Sequence, residues 1–143
     1  MELRRTLEEI HALYQVEPEL RDLYVEGSSD KCFFDWYIES TGEANVTVYP
    51  IELIDIPDEI LQKHSLPSGS NKARLIALSY EVASSPAAAG VMCIADRDYD
   101  DCCSLDHHNS GLTHTDGNSI ELYALHPAVF RKFVLLTRRI NIV

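Results

Sequence analysis

Strands that alternate with helices along this chain predict an α/β domain with a mainly parallel central sheet flanked by helices. Two stretches carry that expectation. Val91–Ala95 ("VMCIA") is an unbroken apolar run, as in a central strand buried on both faces of a parallel sheet. Just before it, "NKARLIALSYEVAS" places Leu75, Leu78 and Val82 on one stripe of a helix.

The remaining elements follow in order. Leu3, Leu7, Ile10, Leu13 and Tyr14 recur at helical spacing, and Pro18 ends that helix. "LYVEG", residues 23–27, reads as a short buried strand closed by a glycine turn. "SSDKCFFDWYIES" predicts a helix with Ser28 or Ser29 as N-cap and Phe33, Phe34, Tyr37 and Ile38 as its packing face. "NVTVYPIELIDI" is rich in β-branched residues and predicts a strand, with an edge extension after Pro50. Residues 58–63 predict a helical turn, and "HSLPSGSN" a loop. "GLTHT" predicts a short strand with further structure in "SIELYAL". "PAVFRKFVLLTRR", residues 127–139, predicts a closing helix with Pro127 in its first turn. The 143 residues fit one domain, 1–143, with a core over about 20–125. The apolar end "INIV" raises the expectation that the chain is the front part of a longer protein.

Composition narrows the function classes. The formal net charge of −11 excludes the general basic footprint of a simple nucleic-acid-binding module. It leaves room for a metal-dependent enzyme acting on phosphates, where bound cations reverse the local field. No apolar run approaches the ~20 residues of a membrane span, and "MELRRTLEEIHALY" lacks the apolar core of a signal peptide. Four cysteines without framework spacing predict reduced thiols in a cytoplasmic protein. Cys32 and Cys93 read as ordinary buried thiols.

The acids are the informative feature. In an open parallel sheet, sites form beyond the carboxyl ends of the strands. "LYVEG" places Glu26 at one such end, beside Gly27. "VMCIADRD" places Asp96 at another, with Asp98 two residues on and sharing its face if the chain stays extended. Two like charges about 4 Å apart repel by roughly 4 kcal/mol at an effective dielectric near 20. Protonation, a basic side chain or a divalent cation must offset this, and hard oxygen ligands favour magnesium, manganese or calcium. The competing reading is a solvated acidic turn in which Arg97 is the counter-ion. A receiver-like acidic pocket fits less well, because its paired acids belong on the first strand. Asp100 and Asp101 read as solvated loop acids. Lys72, just inside the helix after "SGSN", is placed either to meet a substrate phosphate beside that helix's N-terminal amides or to stand exposed.

"YVEGSSDKCFF" followed by "IADRDYDD" and then "THTDGNSIELY" resembles the Toprim domain, a Rossmannoid α/β fold. More closely it resembles the Toprim-like nucleases of prokaryotic defence systems, the OLD-type nucleases and a related family encoded with ABC-type ATPases. The resemblance spans about residues 23–125. It implies a nuclease cleaving phosphodiester bonds of DNA or RNA with Mg2+ or Mn2+, as the effector of an antiphage system. Carried over by position, Glu26, Asp96 and Asp98 match the catalytic, metal-binding acids, and Glu121 matches a later glutamate. Asp30 stands where such domains often hold another acid. Glu26 is open to two roles, metal ligand or general base. The implied partners are nucleic acid and an ABC-type ATPase subunit, and homo-oligomerisation stays open. The alternative class is a catalytically inactive Toprim-like module that docks an ATPase or nucleic acid, which the acidic charge favours.

The other clusters carry less. Cys102, Cys103, His107, His108 and His114 bring zinc to mind, but adjacent cysteines lack the gap of a ligand knuckle. A polar loop over the acidic pocket is the simpler reading. No Gly-rich phosphate loop or nucleophile elbow is present, so a nucleotide would come with a partner. Arg131, Lys132, Arg138 and Arg139 give the closing helix the chain's one candidate cationic face.

Overall fold

The computed structural model describes residues 4–43, 45–98, 100–103, 107–128 and 131. Four strands among them form one sheet: β1 (Arg21–Val25), β2 (Val46–Pro50), β3 (Val91–Ala95) and β4 (Leu112–His114). Their order is β2-β1-β3-β4, and every pairing is parallel. The helices are α1 (Leu7–Val16), α2 (Ser28–Thr41), α3 (Asp58–Lys63), α4 (Asn71–Ala83) and the short α5 (Asp100–Cys103). The expected α/β class with a parallel sheet flanked by helices is therefore what the chain adopts.

Side-chain alternation along the strands separates two layers. Tyr24, Cys93 and Ala95 point into the larger core, where they meet Leu7, Ile10 and Tyr14 of α1 and Leu75, Ile76 and Leu78 of α4. Leu23 and Val25 point to the other face and pack with Val48, Phe34 and Ile38 under α2. Asp22 is buried on the α1 side and accepts a 2.7 Å hydrogen bond from the Tyr14 hydroxyl, which lies 2.9 Å from that of Tyr24. An unpaired buried carboxylate would be costly, so this chain of hydroxyls ties α1 to β1.

Several local expectations shift. α1 begins at Leu7, where Thr6 and Glu9 exchange hydrogen bonds in a capping box. The α2 N-cap is Gly27, and Asp30 takes its N–H at 3.1 Å, so Ser28 and Ser29 lie inside the first turn. Cys93 is buried as expected, whereas Cys32 is exposed on α2. After Pro50 the chain makes a 3-10 turn (Ile51–Leu53) that buries Ile51, rather than extending an edge strand. "IELYA" forms a 3-10 turn, Ile120–Ala124. The strand β3, expected to be covered on both faces, is open on the α2 side: Met92 is 39% exposed. α2 lies over β2 and β1, and none of its own residues is fully buried. Of the closing helix, residues 127, 128 and 131 are helical; Lys132, Arg138 and Arg139 lie outside the described residues. No helix among the described residues is long and apolar enough to cross a membrane.

The entry to β3 depends on close backbone packing. A Cβ on Gly90 would run into the Leu20 carbonyl oxygen, well inside van der Waals contact, while the Gly90 carbonyl accepts the Asp22 N–H at 3.2 Å. Gly90→Ala is expected to lower unfolding free energy by about 2–3 kcal/mol through this clash. Urea denaturation of the two proteins checks it, with the midpoint falling and the slope unchanged.

Candidate functional site

β1 continues through α2 to β2 on one side, and β3 continues to β4 on the other. The chain therefore leaves these two neighbours in opposite directions, which opens a crevice beyond their carboxyl ends. The β1–β3 register pairs Val25 with Ile94, so Glu26 and Asp96 emerge side by side. Glu26 Oε1 accepts the Asp96 backbone N–H at 2.9 Å. Asp96 Oδ1 in turn accepts the Ile120 N–H at 2.9 Å.

A second segment is laced against this edge. Thr115, which is buried, receives the Arg97 N–H on Oγ1 at 3.1 Å and the Arg97 Nε–H on its carbonyl at 3.0 Å. The Asp98 N–H donates to the Asn118 carbonyl at 2.7 Å. This last bond joins backbone to backbone and holds the two loops together at the crevice. Through these contacts the 3-10 turn carries Glu121 to the rim of the same crevice. Asn71, the first residue of α4, donates to the Glu26 carbonyl at 3.0 Å and anchors the far side.

The carboxylates sit close enough to act on one another. Burial pushes the Glu26 carboxyl up to about 7; the Asp96 N–H opposes this, and the charges of Asp96 and Asp98 add to it. Asp96 is raised by burial first and then by the charges of Asp30, Glu121 and Asp98, against the Ile120 hydrogen bond. Asp30 is raised by burial and by Glu121, against its bond from Gly27. Glu121 lies at the exposed rim, where a hydrogen bond from Ser119 and one from its own backbone hold its carboxyl low.

Asp98 departs from its expected position. The chain does not stay extended after Asp96: Asp98 has φ of +50°, in the left-handed region that aspartate tolerates better than most residues. Its carboxylate turns to Lys72, whose Nζ lies 2.9 Å from Asp98 Oδ2 and 2.7 Å from Asp100 Oδ2. Lys72 is thus an internal counter-ion, 16% exposed, rather than an open phosphate ligand. Burial pulls its pKa down, but the carboxylates of Asp100 and Asp98 outweigh this and hold it above the usual lysine value. Asp100, expected as a solvated loop acid, is half-buried in this pair.

Glu26, Asp30, Asp96, Asp98 and Glu121 therefore share one electrostatic neighbourhood. Even so, no three His, Cys, Asp or Glu side chains among the described residues stand close enough together to hold a metal ion as they are oriented. That applies equally to the histidine and cysteine loop, where His107 Nδ1 lies 3.5 Å from the Tyr80 hydroxyl and Cys102 is exposed. Sequence reading passed over Asn71, Thr115 and the pairing role of Asp100. Thr115 lies within the "THTDGNSIELY" segment, but only its contacts separate it from Thr113.

No protein-family model matches the chain, and no curated protein matches it significantly. The site is therefore read from its own chemistry.

The Glu26 shift fixes the sign of a pH effect. A carboxyl whose folded pKa lies above its unfolded value of 4.5 binds its proton more tightly in the folded state. Its contribution to stability is full at low pH and is lost as pH rises through about 7. In cation-free buffer, Glu26→Gln is expected to flatten this decline and to add about 1–2 kcal/mol at pH 8, after allowance for solvent screening. Chemical denaturation with chelator at pH 5 and pH 8 measures it.

Proposed function

We propose that this chain is a Toprim-like domain of a divalent-cation-dependent nuclease, cytoplasmic and acting on DNA or RNA as an antiphage effector. The observation that carries the reading is the pairing of Glu26 with Asp96 at the β1–β3 crevice, with Asp30, Asp98 and Glu121 around them. The donor chemistry fits Mg2+ or Mn2+: all oxygen, strongly negative and partly desolvated. Glu26 and Asp96 each engage one oxygen with a backbone N–H, which fixes the carboxylate plane. Among the described residues the second oxygen of each has no hydrogen-bond donor. Glu26, Asp96 and Asp98 would be the ligands, with Glu121 and Asp30 at the margin. Asp98 joins only by leaving Lys72.

A cation bound there would supply Lewis-acid stabilisation of a phosphodiester in displacement. The chain's own residues do the rest. Glu26, titrating near neutrality, can hold or release a proton at Oε2 while Oε1 stays on the Asp96 N–H. Lys72, once Asp98 turns away, has an ammonium beside the crevice for a phosphate oxygen. An ABC-type ATPase partner would provide the basic surface that a chain of net charge −11 lacks.

A second reading is favoured by one observation: Lys72 already neutralises Asp98 and Asp100, so the crevice is partly charge-balanced without a cation. On that reading the domain is a non-catalytic module that docks a partner ATPase or nucleic acid.

Manganese titration by calorimetry separates the two. Saturable binding in the wild type, lost in Asp96→Asn with an unchanged circular dichroism spectrum, is the expected result. Absence of binding by the folded wild type sinks catalysis by this chain alone. With the Glu26 carboxyl pushed up to about 7, binding near neutral pH is expected to release protons, read from the dependence of enthalpy on buffer, and Glu26→Gln removes that release.

Removing the competing lysine has the opposite effect on the ion. Lys72→Met is expected to tighten manganese binding by about 3- to 10-fold while weakening retention of a nucleic-acid oligonucleotide, since one cation no longer competes for Asp98. Weaker manganese binding in Lys72→Met would remove Asp98 from the ligand set.

A further inference from the structure

On the face of the sheet opposite α4, α2 and the 3-10 turn at Ile120–Ala124 wall a groove beside β3 and β4. It encloses about 590 Å³, within the range of sites that hold a small organic group. Five aromatic side chains line it, Phe33, Phe34, Trp36, Tyr37 and Tyr123, against a single aliphatic one, Ile94. Phe33 meets Phe34 edge-on with ring centroids 5.4 Å apart and stacks on Tyr123 at 6.2 Å. Trp36 stands beside it at 6.1 Å and is 62% exposed. Tyr123 is also fixed from its far end: its hydroxyl donates to Asp116 Oδ2 at 3.1 Å and accepts the Asp116 N–H at 3.0 Å. Ring faces held in place this way lose little further freedom when a flat ligand stacks on them.

The lining and its charge select the ligand. Aliphatic side chains dominate this chain's own core, where Leu7, Ile10, Leu75 and Leu78 meet. The groove instead offers aromatic faces with a polar rim of Thr113, His114 and Asp116. A planar group with apolar faces and hydrogen-bonding edges fits it, and a nucleobase is such a group. The Asp116 carboxylate can accept from an exocyclic amino group of a base. Among the described residues no lysine or arginine lines the groove, and the chain carries a net charge of −11. A neutral base therefore enters at least electrostatic cost while its phosphates stay in solvent, and aromatic stacking holds it without a cationic surface.

Position agrees with this. Asp30 lies one helical turn before Phe33 and Phe34, Glu121 two residues before Tyr123, and Asp96 two residues beyond Ile94. Two extended residues span about 7 Å, so a base in the groove sets neighbouring phosphates at the crevice. We propose that the groove is a stacking platform for an unpaired nucleobase of a single-stranded nucleic acid, whose adjoining phosphodiester it delivers to the Glu26–Asp96 crevice. The choice of nucleic acid rests on the nuclease reading above, to which the groove adds the substrate class, single strand over duplex. In a duplex the base faces stack on one another; only an unpaired base offers them to the protein.

Trp36 is the chain's only tryptophan, so its fluorescence reports the groove directly. The full chain is titrated in chelator with oligocytidine, as deoxyribose and as ribose strands, with an abasic strand of equal length, and with the oligocytidine paired in a duplex. Expected are saturable quenching by a single strand, none by the abasic strand and much less by the duplex. Single-strand affinity is expected to fall less than about 3-fold between about 50 and 200 mM salt, because few phosphates are neutralised. Tyr123→Leu and Phe33→Leu remove a ring but keep the groove apolar, and each is expected to weaken binding about 5-fold or more at unchanged circular dichroism. Equal quenching by the abasic strand overturns the proposal, since phosphates alone would then bind, and so does no quenching by any strand. These wild-type results stand even where a variant fails to fold. Full protection of Trp36 from acrylamide in the free chain also overturns it: the groove is then already covered, by the chain itself or, where dilution removes the protection, by a second copy. Chelator keeps this inference apart from the nuclease reading. Base binding without manganese binding sinks the nuclease and leaves the platform; manganese binding without base binding sinks the platform alone.

Discussion

The parallel pairing of β1 with β3 is the constraint on which the candidate site rests. Its register sets Val25 opposite Ile94, and the acids Glu26 and Asp96 follow at the ends of these two strands. A slip of one residue would turn one of the two carboxylates to the other face of the sheet. Register is held where burial is deepest: Tyr24 and Cys93 are paired partners and both point into the main core. Gly90 lets the strands begin this pairing by allowing the Leu20 carbonyl to approach. The hydrophobic core therefore aligns the crevice, and the acids follow from that alignment.

Burial and like charge push Glu26, Asp30 and Asp96 upward together, while backbone N–H groups from Asp96, Gly27 and Ile120 hold them back. Lys72 relieves only the outer edge, through Asp98 and Asp100. A site in this state has several routes to lower its energy: a proton on Glu26, a cation between the acids, or a basic group from a partner. Its chemistry depends on which of these the surroundings offer.

The uncovered face of β3 poses the same question in apolar terms. α2 is 14 residues long but spreads its aromatic residues around the helix, so Phe34 and Ile38 face the sheet while Trp36 and Tyr37 do not. The groove and the acidic crevice share two walls: Asp30 and Phe33 lie on α2, and Glu121 and Tyr123 lie on the 3-10 turn. Whatever covers the groove is thereby placed next to the acids.

Much of this was written along the chain, because it rests on short-range pattern. The apolar run of β3, the stripe of α4 and the break at Pro18 determined the α/β class and most element positions. The strand-end placement of Glu26 and Asp96 was equally legible, since a parallel strand delivers its last residue to a shared edge. Tertiary structure decided the rest. Whether Asp98 continued beside Asp96 hung on one backbone turn at φ of +50° and on the Asn118 carbonyl that receives its N–H. Whether Lys72 faced a phosphate or an acid hung on the distance from α4 to the β3 loop, across 26 residues of sequence. Which face of β3 was covered hung on where α2 ended over the sheet. Local periodicity carries no information about such long-range distances; they are set only when the elements pack.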